Sequence, residues 1–472
     1  MRMYVAGQWI DKPQTIPVEN PYDRSVLDTV PRADRGDVER ALESAVRGAR
    51  VMATLSGLDR YKILRKAADL IAARQDDLGR TISMEEGKIL AEGRLEANRA
   101  YETILGSAEE AKRLHGETVP VDGAPGGAGK LAFTLRVPCG VVVAISPFNF
   151  PLNLVCHKVG PALAGGNAVI VKPASDTPLS ALRLTEILLE AGLPAEGIQC
   201  LTGSGGEIGD LLCADRRVRK ITFTGSRDVG EHICKVAGLK KVTMELGSNA
   251  PLIVMPDADL DRVADAVAAT GYANAGQVCI STQRVLVAGR VYSDFLSALK
   301  PKVEALTTGS QLDERTRVGP MIREKDAVRV DEWIREAVSS GARLVTGGQR
   351  AGAVYAPTVL ADVKPEMRIS SQELFGPAVA VTPFDDITQA IALANDTNYG
   401  LAAAIFTENL EHAMKFAREV HSGNLHVNWG PQWRADLMPY GGLKDSGFGK
   451  EGPRYAVEEM TELKLVVLHL RG

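Results

Sequence analysis

The chain predicts an α/β protein made of two α/β units in tandem with a small appended β segment, and three features lead there. First, from Val137 onward short apolar, β-branched runs alternate with stretches of helical period, the pattern of a parallel sheet covered on both faces. Second, residues 35–114 show apolar positions recurring every three or four residues, hence a helical region ahead of the alternation. Third, 472 residues at 45% hydrophobic and 24% charged content exceed what one core holds yet match an ordinary globular chain, so two or three domains are expected.

Taken in order, residues 1 to about 35 carry Pro13, Pro17, Asn20-Pro21 and Pro31 and read as short surface strands. Asp37 to Met52, Asp59 to Arg74 and Asp76 to Leu114 read as three or more amphipathic helices. Asp122-Gly123-Ala124-Pro125-Gly126-Gly127-Ala128-Gly129 reads as a mobile loop or hairpin tip. Val137–Ile145 reads as a strand, Leu152–Ala164 as a helix, Ala168–Val171 as a strand and Pro178–Glu190 as a helix ended by Gly192. Gly197–Leu201, Gly206–Cys213, Val218–Thr224 and Asp228–Ala237 continue as strand, helix, strand and helix. Such a sheet presents its ligand at the carboxyl ends of its strands. A second alternating unit starts near Val242–Leu246. It runs through the strand Pro251–Val254, the helix Asp259–Tyr272, the strand Arg284–Val287, the helices Ser293–Thr307 and Ala327–Ser340, and strands near Leu344 and Val379–Pro383. No repeat of fixed period interrupts it.

A formal charge of -4 provides no basic field for nucleic acid or an anionic membrane. Six dispersed cysteines without a C-x-x-C pair suit neither a disulfide framework nor a metal knot, which points to a reducing cytoplasm. The first residues lack a leader-like apolar segment, and runs such as Val141–Ile145 are too short to span a bilayer.

Chemistry-bearing stretches sit at the junctions. Ala275-Gly276-Gln277-Val278-Cys279-Ile280-Ser281 holds a thiol after a small, flexible tetrad, surroundings that favour a thiolate nucleophile, although a lone cysteine is more often buried and inert. In Ser146-Pro147-Phe148-Asn149-Phe150-Pro151 two prolines stiffen a post-strand loop, and Asn149 offers an amide donor to a developing oxyanion; the alternative is an ordinary loop asparagine. Lys172, at a strand end before Pro173-Ala174-Ser175, can reach a ribose or phosphate, or be merely solvated. Phe223-Thr224-Gly225-Ser226 opens a helix whose N-terminal N–H groups suit a pyrophosphate. Gly203-Ser204-Gly205-Gly206 does not complete G-x-G-x-x-G, because position 208 is Ile. Met244-Glu245-Leu246-Gly247 buries a carboxyl, which desolvation would tune towards a base near neutrality. Glu373 and Phe375, within Ser371–Pro377, suit a ribose and a flat ring.

The order of Asn149, Lys172, Phe223-Thr224-Gly225-Ser226, Glu245, Cys279 and Glu373-Leu374-Phe375-Gly376-Pro377, closed by Pro439-Tyr440-Gly441-Gly442-Leu443-Lys444-Asp445-Ser446-Gly447, resembles the aldehyde dehydrogenase superfamily over nearly the whole chain. The resemblance implies a Rossmann-like cofactor domain (1–115 and 138–246), an α/β catalytic domain (247–449) and a small β oligomerisation segment (116–137 and 450–472) joining a homodimer or homotetramer. It implies that Cys279 attacks an aldehyde, that Asn149 and the Cys279 N–H hold the oxyanion, that hydride passes to a nicotinamide, and that Glu245 activates water against the thioester. Cofactor contacts would come from Ser146, Pro147, Phe148, Lys172, Ser175, Phe223, Gly225, Ser226, Gly247, Glu373 and Phe375, with no metal. Relatives that favour NAD carry glutamate where this chain has Ser175, so NADP is expected to be accepted alongside NAD or preferred.

By the same resemblance Arg99, His157 and Arg434 stand where many relatives line an apolar or aromatic tunnel, and Ser281 is a further expected substrate contact. Two arginines converging there would clamp an anion, so a short aldehyde with an anionic or hydroxylated tail is expected; structural ion pairs are the alternative. Ser248 replaces a second glycine and would place a hydroxyl near Glu245, while Arg284 is expected to be structural. Retention of Glu245 disfavours acyl transfer to coenzyme A, and the presence of Cys279, Glu245 and Asn149 together disfavours a non-catalytic, binding-only relative.

Overall fold

The expected parallel sheets are both present in the computed structural model, which describes residues 1–470; the end of the 450–472 segment lies outside the described residues. The first sheet runs in the order Gln8–Ile10, Met3–Val5, Ile198–Cys200, Ala168–Lys172, Val141–Ile145, Val218–Thr224, Lys241–Glu245, Gly447–Phe448. Its central strands are parallel and its two edges antiparallel. Every residue of Val141–Ile145 is buried, so the strand reads as a continuous apolar run. Pleating still divides it. Val142 and Ala144 pack with Leu64, Ala97 and Val155 on one face, and Val141, Val143 and Ile145 with Leu42, Ile208 and Ile233 on the other. Burial of each of the Val, Leu and Ile side chains among these contributes about 1.5–3 kcal/mol.

The helices under this sheet start where the sequence supplies caps. Asp34 and Asp37 form a reciprocal capping box for Arg35–Thr54, as do Ser56 and Asp59 for Gly57–Ala73. The long helical stretch that follows is broken: Gly87, at φ +98°, ends Gln75–Glu86, and Leu90–Ala111 begins after it.

The second sheet runs in the order Arg343–Thr346, Thr358–Ala361, Ala378–Phe384, Arg284–Ala288, Pro251–Val254, Ala402–Phe406, Asn424–Val427, parallel throughout except for its first strand. Among the described residues no helix is long and apolar enough to cross a membrane.

Three readings of the chain change. The stretch Val137–Ile145 is not one strand, because Lys130–Pro138 belongs to a separate three-stranded sheet with Thr118–Val119 and Thr461–His469. Pro138 offers no N–H to a ladder and Gly140, at φ +120°, turns the chain from one sheet into the other. Lys241–Glu245 does not open the second unit; it pairs in register with Val218–Thr224 and closes the first sheet, and the second begins at Pro251. Met3–Val5 is no surface strand either: all three residues are buried, and it pairs with Trp9 and Cys200 neighbours on the sheet edge.

Candidate active site

Val141–Ile145 has its sequence successor Ala168–Lys172 on one side and Val218–Thr224 on the other, so the strand order reverses beside it. At such a switch point the loops leaving neighbouring strands diverge and open a crevice. A cleft of about 850 Å³ lies there, lined by Ser146, Pro147, Phe148, Asn149, Lys172, Ser175, Phe223, Gly225, Ser226, Gly247, Glu373, Phe375 and Cys279. Thus every residue expected at the cofactor or the reacting centre, Glu245 excepted, faces one cavity.

The cleft has the features a dinucleotide requires. Helix Arg227–Ala237 begins at Ser226 with no side-chain cap, leaving its first N–H groups for an anion. A Cβ at position 225 would stand 2.5 Å from the Phe223 ring, and one at 247 would stand 2.2 Å from Glu373 Oε2, so both glycines keep the wall open. Glu373 accepts the Ser248 N–H at 2.9 Å, and burial raises its carboxyl to about 7. Phe148 meets Phe375 edge to face at 5.9 Å. Ser175 donates to the Gly203 carbonyl at 3.0 Å, and burial lowers the nearby Lys172 ammonium to about 8. Asp176, also in the cleft, is paired with Arg323, which offsets its charge.

Cys279 reaches this cavity from the second sheet, on the loop that enters Arg284–Ala288. Asn274 and Ala275 hold φ near +50° and Gly276 +70°, and a Cβ on Gly276 would stand 2.1 Å from the Gly376 carbonyl. That strained path is over-determined by a buried polar layer. Asn274 Nδ2 donates to Glu86 at 2.9 Å and its N–H to Glu92 at 3.1 Å. Lys88 Nζ donates to Glu96 at 2.7 Å and to the Asn149 backbone carbonyl at 2.6 Å, and lies 3.9 Å from the Phe150 ring centroid. Glu96 in turn accepts the Leu152 and Asn153 N–H groups. The Asn149 side chain donates to the Gln277 carbonyl at 2.8 Å, which ties the oxyanion candidate to the cysteine loop. None of Glu86, Lys88, Glu92 or Glu96 was picked out from the sequence. The available signal was helical phase: Leu78, Ile82 and Glu85 share one face, so carboxyls at this helix end lie on an apolar stripe.

The expected thiolate is not favoured by the protein alone. Burial pushes the Cys279 thiol up to about 12, against a hydrogen-bond contact with Tyr440 Oη at 3.3 Å that lowers it. Glu245, close enough to influence that thiol, is buried with neither carboxylate oxygen hydrogen-bonded. Burial first, and then Glu451, raise its carboxyl well above the ordinary range. A Cβ on Gly441 would stand 2.9 Å from Glu245 Oε1, so this glycine makes room for the base. Burial alone would raise Glu451 too, but Lys158, Arg434 and His157 reverse this and hold it at about 2.

None of Arg99, His157, Arg434 and Ser281 lines the cleft, and each has partners elsewhere. Arg99 makes a two-point contact with Asp436 at 2.8 and 3.1 Å, so it is not the free half of an anion clamp. His157 shares Asp436 Oδ1 at 2.8 Å, and burial lowers its pKa. Arg434 bonds Glu451 at 3.0 Å and lies 3.8 Å over the Tyr440 ring, while its buried Nε has no partner among the described residues. Ser281 is not in the cavity: its hydroxyl donates to the Thr270 and Gly271 carbonyls. Ser248 contacts Glu373 through its backbone, not Glu245 through its hydroxyl. Arg284 donates to the Asn249, Leu393 and Ala394 carbonyls, a structural role.

A thiol and a fixed amide donor lining one cavity, with a buried carboxyl close to the thiol, can perform nucleophilic attack, oxyanion stabilisation and acid–base transfer. Comparison with known proteins accords with this chemistry. The chain is 49% identical over 468 residues to a 3-sulfolactaldehyde dehydrogenase of Priestia aryabhattai, covering 99% of this chain and 98% of that one. Its structure superposes on aldehyde dehydrogenase 21 from Physcomitrella patens in complex with the reaction product succinate, with a TM-score of 0.96 and 38% identity over 99% of this chain and 98% of that one. It superposes equally on glyceraldehyde-3-phosphate dehydrogenase GapN from Methanocaldococcus jannaschii complexed with NADP, with a TM-score of 0.94 and 36% identity over 98% of this chain and 100% of that one. Residues 9–466 match the aldehyde dehydrogenase family profile, and the chain belongs to the aldehyde dehydrogenase family.

Proposed function

We propose that the chain oxidises a short hydrophilic aldehyde with an anionic or hydroxylated tail to its carboxylic acid, using Cys279 as nucleophile, Asn149 as oxyanion donor and Glu245 as base. The observation that carries this is the meeting of the strained Cys279 loop, the Asn149 amide and an unpartnered Glu245 carboxyl beside a cleft shaped for a dinucleotide. Cys279 Sγ adds to the aldehyde carbon, and the oxygen takes up the charge between the Asn149 amide and the Cys279 N–H. NAD(P), when bound in the cleft, supplies the hydride acceptor. Glu245, once deprotonated, takes a proton from the water that cleaves the resulting thioester, and its dry surroundings make it a stronger base than a solvated carboxylate. Ser226 and its helix would hold the pyrophosphate, Lys172 and Ser175 the adenosine ribose, and Glu373 with Phe375 the nicotinamide side.

Ser175, with Asp176 neutralised by Arg323, leaves room and balanced charge for a 2'-phosphate. Ser175→Glu is expected to lower the NADP-to-NAD ratio of kcat/KM by about ten- to a hundredfold, roughly 1.4–2.7 kcal/mol of like-charge repulsion. An unchanged ratio, measured with one aldehyde and both cofactors, removes position 175 from cofactor choice.

For the substrate, an unpartnered donor supports an anion. Arg99 and Lys158 are committed to Asp436 and Glu451, whereas Arg434, bonded to Glu451, keeps a buried Nε without a partner among the described residues. This buried Nε is the donor assigned to the anionic tail. The relatives named above act on or hold sulfolactaldehyde, succinate and glyceraldehyde 3-phosphate, which share an anionic tail. Arg434→Ala is expected to cost about ten- to a hundredfold more kcat/KM on 3-sulfolactaldehyde or succinic semialdehyde than on lactaldehyde. Equal losses on charged and neutral aldehydes would reduce Arg434 to a partner of Glu451.

We also assign residues 1–115 and 138–246 to cofactor binding, 247–449 to catalysis, and 116–137 with 450–472 to assembly of a homodimer or homotetramer. Exposed Leu131, Leu135, Leu463 and Leu465 on the three-stranded sheet support the last assignment.

A further inference from the structure

Tyr440 lies in the closing motif of the chain, 3% exposed, and its hydroxyl has one partner, Cys279 Sγ at 3.3 Å. A buried phenol without a strong acceptor is unusual. Its placement is not loose. The Tyr440 and Glu451 backbones exchange hydrogen bonds at 2.7 and 3.2 Å, and the Arg434 guanidinium covers the ring at 3.8 Å while it is itself bonded to Glu451. Backbone and ring are thus fixed by one pair of residues, and the hydroxyl is left aimed at the sulfur.

Cys279 needs such a donor. The other charged groups around it are Glu373 and Glu245, which oppose a negative sulfur, and Arg434, which favours it from behind the Tyr440 ring. A neutral thiol is a weak acceptor, whereas a thiolate accepts a charge-assisted bond of about twice the strength. We propose that Tyr440 is a further catalytic residue, whose phenol donates a hydrogen bond to Cys279 Sγ and stabilises the thiolate in its attacking position. This rests on the reading of Cys279 as the nucleophile. The phenol keeps its own proton throughout, and the thiol proton leaves to solvent or to a nearby base. As the sulfur–carbon bond forms, charge moves from sulfur to the aldehyde oxygen between Asn149 and the Cys279 N–H, and the phenol bond weakens. Its effect therefore falls on ionisation of the nucleophile, not on the oxyanion.

Tyr440→Phe tests this, because phenylalanine keeps the ring under Arg434 and the backbone pairing with Glu451. In the full-length protein, alkylation of Cys279 by iodoacetamide is followed by peptide mass spectrometry, which separates it from Cys139 and Cys234, which are also partly exposed. Loss of a hydrogen bond to a charged group raises the thiol by about one to two pH units. Part of the lost thiolate is offset by its greater intrinsic nucleophilicity, so at fixed pH on the rising limb alkylation slows by about three- to tenfold. The melting temperature stays unchanged, kcat/KM for aldehyde falls in parallel, and KM for NADP does not move. A rate-against-pH limb superposable on that of the parent protein overturns the proposal. Turnover that survives Cys279→Ala overturns instead the nucleophile reading beneath it, so the two failures are distinguishable.

Discussion

Cys279→Ala is expected to lower aldehyde oxidation by at least about 10⁴-fold, because no other group in the cavity can take over covalent attack. Cys156 and Cys200 are buried away from the cleft, Cys139 and Cys234 do not line it, and Cys213, which borders it, is buried with its thiol pushed up to about 12. Binding of NAD or NADP, followed by fluorescence titration or a ligand-induced rise in melting temperature, is expected to survive the change, since the helix start at Ser226 and the Glu373 carboxylate are untouched. Retained turnover with intact cofactor binding would show that hydride leaves a hydrated aldehyde with no sulfur adduct. The variant also defines the background against which every other substitution is read.

Glu245→Gln is expected to separate the two halves of the reaction. Attack and hydride loss need Cys279 and Asn149, whereas thioester hydrolysis needs a base. A burst of about one reduced nicotinamide per site should therefore persist in the first turnover, while steady-state kcat falls by about 10²–10⁴-fold. The pH dependence follows from the raised carboxyl. Below its pKa the Glu245 side chain is protonated and cannot accept a proton, so kcat rises with pH as the proton is lost. In Glu245→Gln that limb disappears. Loss of the burst together with the steady state would assign Glu245 to the first half-reaction, and rescue of turnover by coenzyme A would indicate acyl transfer to a thiol in place of hydrolysis.

Much of the site was legible because the groups proposed to touch a dinucleotide and a thioester sit at strand ends, where local sequence sets the turn. Pro147 and Pro151 around Asn149, and the small residues at 225, 247 and 276, are needed wherever backbone approaches backbone or ligand, whatever else the chain does. The corrections share a different origin. Arg99 read as a clamp because a lone arginine in a helix carries no mark of its partner, and Asp436 lies 337 residues away. Cys279 read as a thiolate because its neighbours are small and polar, while its desolvation comes from segments around 150, 373 and 440 that converge on it. Ser281 read as a contact because it adjoins Cys279, yet the turn points its hydroxyl back to Thr270 and Gly271.

By itself the sequence determined the α/β class, the alternation that makes two parallel sheets, and the residue types able to carry the chemistry. Period and local turn chemistry are properties of neighbours along the chain. Only the tertiary structure decided the protonation and pairing of those residues: the dry pocket of Glu245, the tie of Asn149 to the cysteine loop, the Glu86, Lys88 and Glu96 layer behind it, and the phenol against the sulfur. These depend on burial and on partners far apart in the chain, and both come into being when the two sheets close on the cleft.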